Sequence, residues 1–100
     1  MLVYHGGDFS ALRVLRKLGA RPGLYVFLNE GNAEGHAEAN YGEGEHGTPA
    51  VVEVKVSRSW LEADPEYKGY DDIAFIVTKS LSPEAFGPVY SWESDRWAGG

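Results

Sequence analysis

The chain has no cysteine, so no disulfide framework braces it and no thiol chemistry is open to it. It has no uninterrupted apolar run long enough to span a bilayer and no charged-then-apolar leader. The missing span and leader make a cytoplasmic protein with no membrane partner the default expectation. Cations are the scarcer charge. Nine Lys and Arg stand against fifteen Asp and Glu, for a formal net charge of -6. A groove built on bulk phosphate attraction needs clustered Lys and Arg, so this balance argues against nucleic acid as a partner. Glycine and aromatics, by contrast, are plentiful at thirteen residues each. That mixture favours many turns and short strands over a helical bundle. One hundred residues predict one domain, 1–100, with a modest core.

Leu2 to His5 reads as a first strand, ended by Gly6-Gly7. Asp8 or Ser10 can cap the helix that follows. Its apolar stripe is Leu12, Leu15 and Leu18, with Ala11 and Val14 beside it and Gly19 as the natural C-cap. Pro22-Gly23 turns the chain into a second strand, Leu24 to Leu28, apolar on both faces and so expected to be central. Asn29 or Asn32 starts a second helix, with Ala33, Ala37 and Tyr41 on one face and Glu34 and Glu38 on another. Ala50 to Val56 alternates as a half-buried strand. Ser57 to Glu62 is expected to add a helical turn, and Ala63 to Tyr70 a loop. Ile73 to Thr78 reads as a buried strand, Ser82 to Phe86 as a short turn of helix, and Val89 to Glu93 as a final edge strand. This order predicts an α+β fold rather than a doubly wound α/β fold.

Four segments in this order carry a resemblance. Tyr4-His5-Gly6-Gly7 resembles the opening His-Gly-Thr or His-Gly-Ser strand of the ADP-ribosyltransferase superfamily. Gly23-Leu24-Tyr25-Val26-Phe27 is similar to its Gly-Ile-Tyr-Phe signature, and Ala39-Asn40-Tyr41 to the end of the next helix in the poly(ADP-ribose) polymerase branch. Late in the chain, Leu81-Ser82-Pro83-Glu84 resembles the Ile-Pro-Pro-Glu turn that follows the last catalytic strand of bacterial members. The resemblance implies a split β-sheet core with two helices early in the chain. It implies NAD as substrate, or an ADP-ribose derivative as ligand, and no metal. His5 would bond a ribose hydroxyl. Gly6 would exchange backbone hydrogen bonds with the carboxamide, and Tyr25 and Tyr41 would sandwich the nicotinamide ring. The reaction it implies is transfer of ADP-ribose to an acceptor this sequence does not name.

The sequence also departs from the family. Ala74 stands where the strand should bring the glutamate that stabilises the oxocarbenium-like charge, and a methyl group cannot do that work. Asp72, two residues earlier, is the candidate carboxylate, completing a catalytic set of His5, Tyr25 and Asp72. Gly7 replaces the usual Thr or Ser, and Glu38 a serine of the polymerase branch. Two readings therefore stay open: an ADP-ribosyltransferase, or a catalytically inactive member of the same fold that binds a partner protein. Without the resemblance, His5 reads as a structural histidine, Tyr25 as a core aromatic, and Asp71-Asp72 as a solvating strand-end pair. Glu34, His36, Glu38, Glu43, Glu45 and His46 are dense in one window, but their spacing does not match a His-Glu-x-x-His helix. They read as a solvated acidic helix and loop.

Overall fold

The computed structural model describes residues 1–41, 47–64, 74–91 and 96–98, and the backbone alone for 41 and 96–98. The elements run β1 (Leu2–Asp8), α1 (Phe9–Leu18), β2 (Leu24–Val26), α2 (Glu30–Tyr41), β3 (Pro49–Lys55), β4 (Leu61–Ala63), β5 (Phe75–Val77), β6 (Phe86–Ser91) and β7 (Arg96–Ala98). They build two antiparallel sheets, of four strands in the order β1-β3-β6-β7 and of three in the order β2-β5-β4. The fold is α+β, with a β core split in two and both helices early in the chain.

Asp8 sets the first corner. Its Oδ2 accepts from the Ala11 N–H at 3.2 Å, capping α1, while Oδ1 accepts from the Thr48 N–H at 2.9 Å. One side chain thus fixes both the start of α1 and the entry to β3. Gly19 closes α1 at φ 83°, its N–H donating to the Leu15 carbonyl. The α1 stripe is narrower than its leucines suggest. Leu12 is buried and Leu15 half-buried, but Leu18 is 73% exposed and Val14 55%. Arg16 holds the far side by donating from Nε to the Gly87 carbonyl at 2.9 Å.

The four-stranded sheet is covered on both faces. Val3, Val52 and Val54 join Leu12 and Phe9 in the main core, while Val51 packs with Ala33 and Phe27 in a second cluster. β3 is thus covered on both faces at Val51 and Val52 and half-buried beyond them, as its alternation suggests, with Glu53 part-exposed and Lys55 exposed. Val51, Val52 and Val54 are all buried, because α2 covers the face that a two-layer fold would leave to water.

Gly6 and Gly7 do not end β1, which runs on to Asp8 with Gly6 opposite Val51 and Gly7 opposite Ala50. The glycines are there for clearance. A Cβ on Gly6 would lie 2.2 Å from the Ala33 carbonyl oxygen, and one on Gly7 would lie 3.1 Å from Leu12. α2 can therefore ride close on β1. Its contact face is Ala33 and Ala37, both fully buried, and Asn29 caps its start by accepting from the Gly31 N–H at 2.7 Å.

Three further expectations need correction. β2 is not central: it is an edge of the small sheet, with Tyr25 39% exposed and Leu28 44%. The segment after Ser57 makes a 3₁₀ turn, Arg58–Trp60, and then a strand, β4, rather than helix as far as Glu62. β6 is an inner strand, since β7 pairs outside it through Val89–Ala98, Tyr90–Trp97 and Ser91–Arg96. Among the described residues, no helix is long and apolar enough to cross a membrane.

Candidate functional site

The two sheets meet at an isolated antiparallel bridge. The Tyr4 N–H donates to the Phe27 carbonyl at 2.8 Å, and the Phe27 N–H donates to the Tyr4 carbonyl at 2.7 Å. Carried on by two residues, that register sets Gly6 opposite Tyr25, yet β1 and β2 belong to separate sheets and form no ladder there. In an antiparallel strand alternate residues turn their backbone groups to alternate edges. Because Tyr4 bonds to Phe27, the Gly6 N–H and C=O turn to the same edge, toward β2, with Gly6 itself buried.

His5 spans this gap. Its Nδ1 lies 2.5 Å from the Tyr25 carbonyl oxygen. A carbonyl only accepts, so the ring proton sits on Nδ1 and Nε2 keeps its lone pair. Half-buried His5 has its pKa pushed below the ordinary 6.5, chiefly by burial; the Tyr25 carbonyl opposes this and the charge of His36 adds to it. At neutral pH the site thus holds a neutral imidazole with an acceptor nitrogen, suited to a hydroxyl group. His36 reaches the same neighbourhood from α2, its ring 5.5 Å from that of Phe27 and tilted by 45°. Burial lowers its pKa too.

Tyr25 lies on one face of the small sheet. The pairs Tyr25–Ile76 and Ile76–Glu62 set Tyr25, Ile76 and Glu62 side by side on that face. Asp64 extends the row: its N–H donates to the Ala74 carbonyl at 2.9 Å, continuing the β4–β5 register by one pair. The Tyr25 hydroxyl donates to Asp64 Oδ2. The opposite face, with Val26, Val77, Leu24, Leu61 and Phe75, packs into the main core.

Of the residues expected at a site, His5, Gly6 and Tyr25 come together at the β1–β2 gap. Tyr41 ends α2, but its side chain lies outside the described residues, as does Asp72 altogether. Ala74 is 1% exposed and packs with Phe27, Ala33 and Val51. Glu43, Glu45 and His46 lie outside the described residues, and among those described no group of three His, Asp or Glu could hold a metal ion. Sequence reasoning missed Asp64, which falls in a stretch expected to be a loop. Nothing local marks it, because β4 is only three residues long and follows directly on the Arg58–Trp60 turn.

A separate groove of about 390 Å³ runs along α1, lined by Ser10, Arg13, Val14, Arg16 and Lys17. Its cations come from one helix face, and none of His5, Gly6 and Tyr25 is among its described lining. The β1–β2 gap is the better candidate because it joins different chemistries from separate elements: an acceptor imidazole, a backbone edge outside any ladder, a part-exposed aromatic ring and a carboxylate. No protein-family model matches the chain, and no curated protein sequence matches it.

Proposed function

We propose that the β1–β2 gap binds NAD or an ADP-ribose derivative, and that the chain transfers ADP-ribose from NAD to an acceptor. The observation that carries this reading is the His5–Tyr25 clasp beside the β2-facing edge of Gly6. A planar carboxamide needs one donor and one acceptor side by side, which a single strand residue with both backbone groups on one unladdered edge offers. A flat cationic ring favours an aromatic face, and Tyr25 offers one at 39% exposure. A ribose hydroxyl needs an acceptor, which the neutral His5 Nε2 supplies. Calorimetric titration of the folded protein with NAD and with nicotinamide tests the reading. Heat at millimolar ligand or below is the expected result. No heat with either ligand contradicts it.

A second reading has one observation in its favour. Ala74 is packed into an apolar cluster and brings no carboxylate to the gap, which suits a non-catalytic domain that uses the fold to meet a partner protein. Incubation with NAD labelled in its nicotinamide separates the two. Release of free nicotinamide supports the transferase, and NAD binding without release supports the interaction domain.

A further inference from the structure

We infer that Asp64, on the strand beside Ala74, supplies the carboxylate of this site. The inference rests on the reading of the gap as a site for NAD. Departure of nicotinamide leaves positive charge on the ribose, and an anion held beside that carbon is what most lowers the barrier. Ala74 cannot supply it. Nor is its position open to a charged group, since its methyl is buried against Phe27, Ala33 and Val51.

Asp64 meets the requirement by geometry. Its N–H donates to the Ala74 carbonyl at 2.9 Å, so the two residues are cross-strand neighbours one step beyond the Ala63–Phe75 pair. Cross-strand neighbours share a face, with Cβ atoms about 5 Å apart. The carboxylate has thus moved one strand sideways, from β5 to the end of β4. The Tyr25 hydroxyl donates to its Oδ2, so the carboxylate stands against the ring that walls the gap. Glu62 shares the face but lies directly across Ile76 from Tyr25, two residue pairs from Ala74, and is exposed at its strand position.

The step balances as follows. The C1′–N1 bond breaks with its electron pair leaving on nicotinamide. An acceptor hydroxyl, or water, forms the new C1′–O bond with an oxygen pair and loses its proton. Asp64 faces the charge while it lasts, takes up that proton and returns it to solvent.

The test compares the wild type with Asp64→Asn, Asp64→Glu and Glu62→Gln, each checked for a native thermal transition. Asp64→Asn should bind nicotinamide as the wild type does and release labelled nicotinamide from NAD about 100-fold more slowly, the scale of losing one charge-stabilising group. It should also bind a cationic iminoribitol, a mimic of the charged ribose, about tenfold more weakly. Asp64→Glu should keep part of both properties, and Glu62→Gln should keep both within about threefold. NAD bound and cleaved by Asp64→Asn at the wild-type rate overturns the inference and leaves the NAD reading standing. So does NAD bound by the wild type without any release. Failure of the folded wild type to bind NAD or nicotinamide removes the reading itself, and the inference with it.

Discussion

The two faces of the small sheet are built from the same three strands and differ in almost everything else. One carries Val26, Val77, Leu24, Leu61 and Phe75 and is locked into the main core. The other carries Tyr25, Ile76, Glu62 and Asp64, with Tyr25 39% exposed and its hydroxyl on a carboxylate. Period-two alternation separates these sets residue by residue. The first face is there for stability. The second leaves Tyr25 part-exposed beside Asp64, the arrangement that the proposed site uses.

That inequality can be broken from both sides. The largest stability loss is expected at Gly6→Ala, which drives a methyl to 2.2 Å from the Ala33 carbonyl oxygen. Either α2 or β1 must shift, at a cost of about 3 kcal/mol or more. Chemical denaturation would measure it, and a loss under about 1 kcal/mol would mean that α2 does not ride as close on β1 as described. Next comes Val26→Ala, on the packed face. Removing two methyl groups from a fully buried site should cost about 2 kcal/mol.

Tyr25→Ala, one residue away, should cost less than Val26→Ala by about 1 kcal/mol, yet abolish the heat of nicotinamide binding. Equal losses at the two positions would erase the distinction between the faces. A pH series sharpens it further. His5 and His36 both have pKa values lowered below 6.5, mainly by burial. The unfolded chain therefore binds protons first as pH falls. The stability these neutral rings contribute is complete above pH 6.5 and is lost as pH drops through 6.5 toward their lowered folded values. Urea midpoints should fall between about pH 7.5 and pH 5.5, and fall less in His5→Gln.

The smallest effect lies on α2. Glu34 has its pKa raised by burial first, then by the charges of Glu30 and Glu38 one turn to either side. Glu34→Gln should raise stability at neutral pH by about 0.3 kcal/mol, the scale of a like-charge pair at that spacing. The gain should vanish as pH falls and the carboxyl protonates.

Much of the frame was legible in the sequence because local chemistry decides it. Asp8 and Asn29 cap their helices, Gly19 ends α1, and the order of elements carries the α+β class. What escaped depends on contacts distant in the chain. Gly6-Gly7 looks like a turn until Ala33 and Leu12 are known to press on it from opposite faces. β3 alternates as though one face met water, because nothing local says that α2 will cover Val51. β4 has three residues, too few to show a period against the 3₁₀ turn before it. The site divides the same way. His5, Gly6 and Tyr25 stand in recognisable strings, whereas Asp64 becomes a candidate only once β4 pairs with β5.

The most direct test of the central claim is a nuclear magnetic resonance titration of the amide-labelled protein with nicotinamide. If the gap holds the ring and its carboxamide, the Gly6 amide should shift most, with Tyr25 and the His5 ring moving along the same binding curve. Shifts confined to Arg13, Arg16 and Lys17 along α1, or none at saturating nicotinamide, would contradict the account.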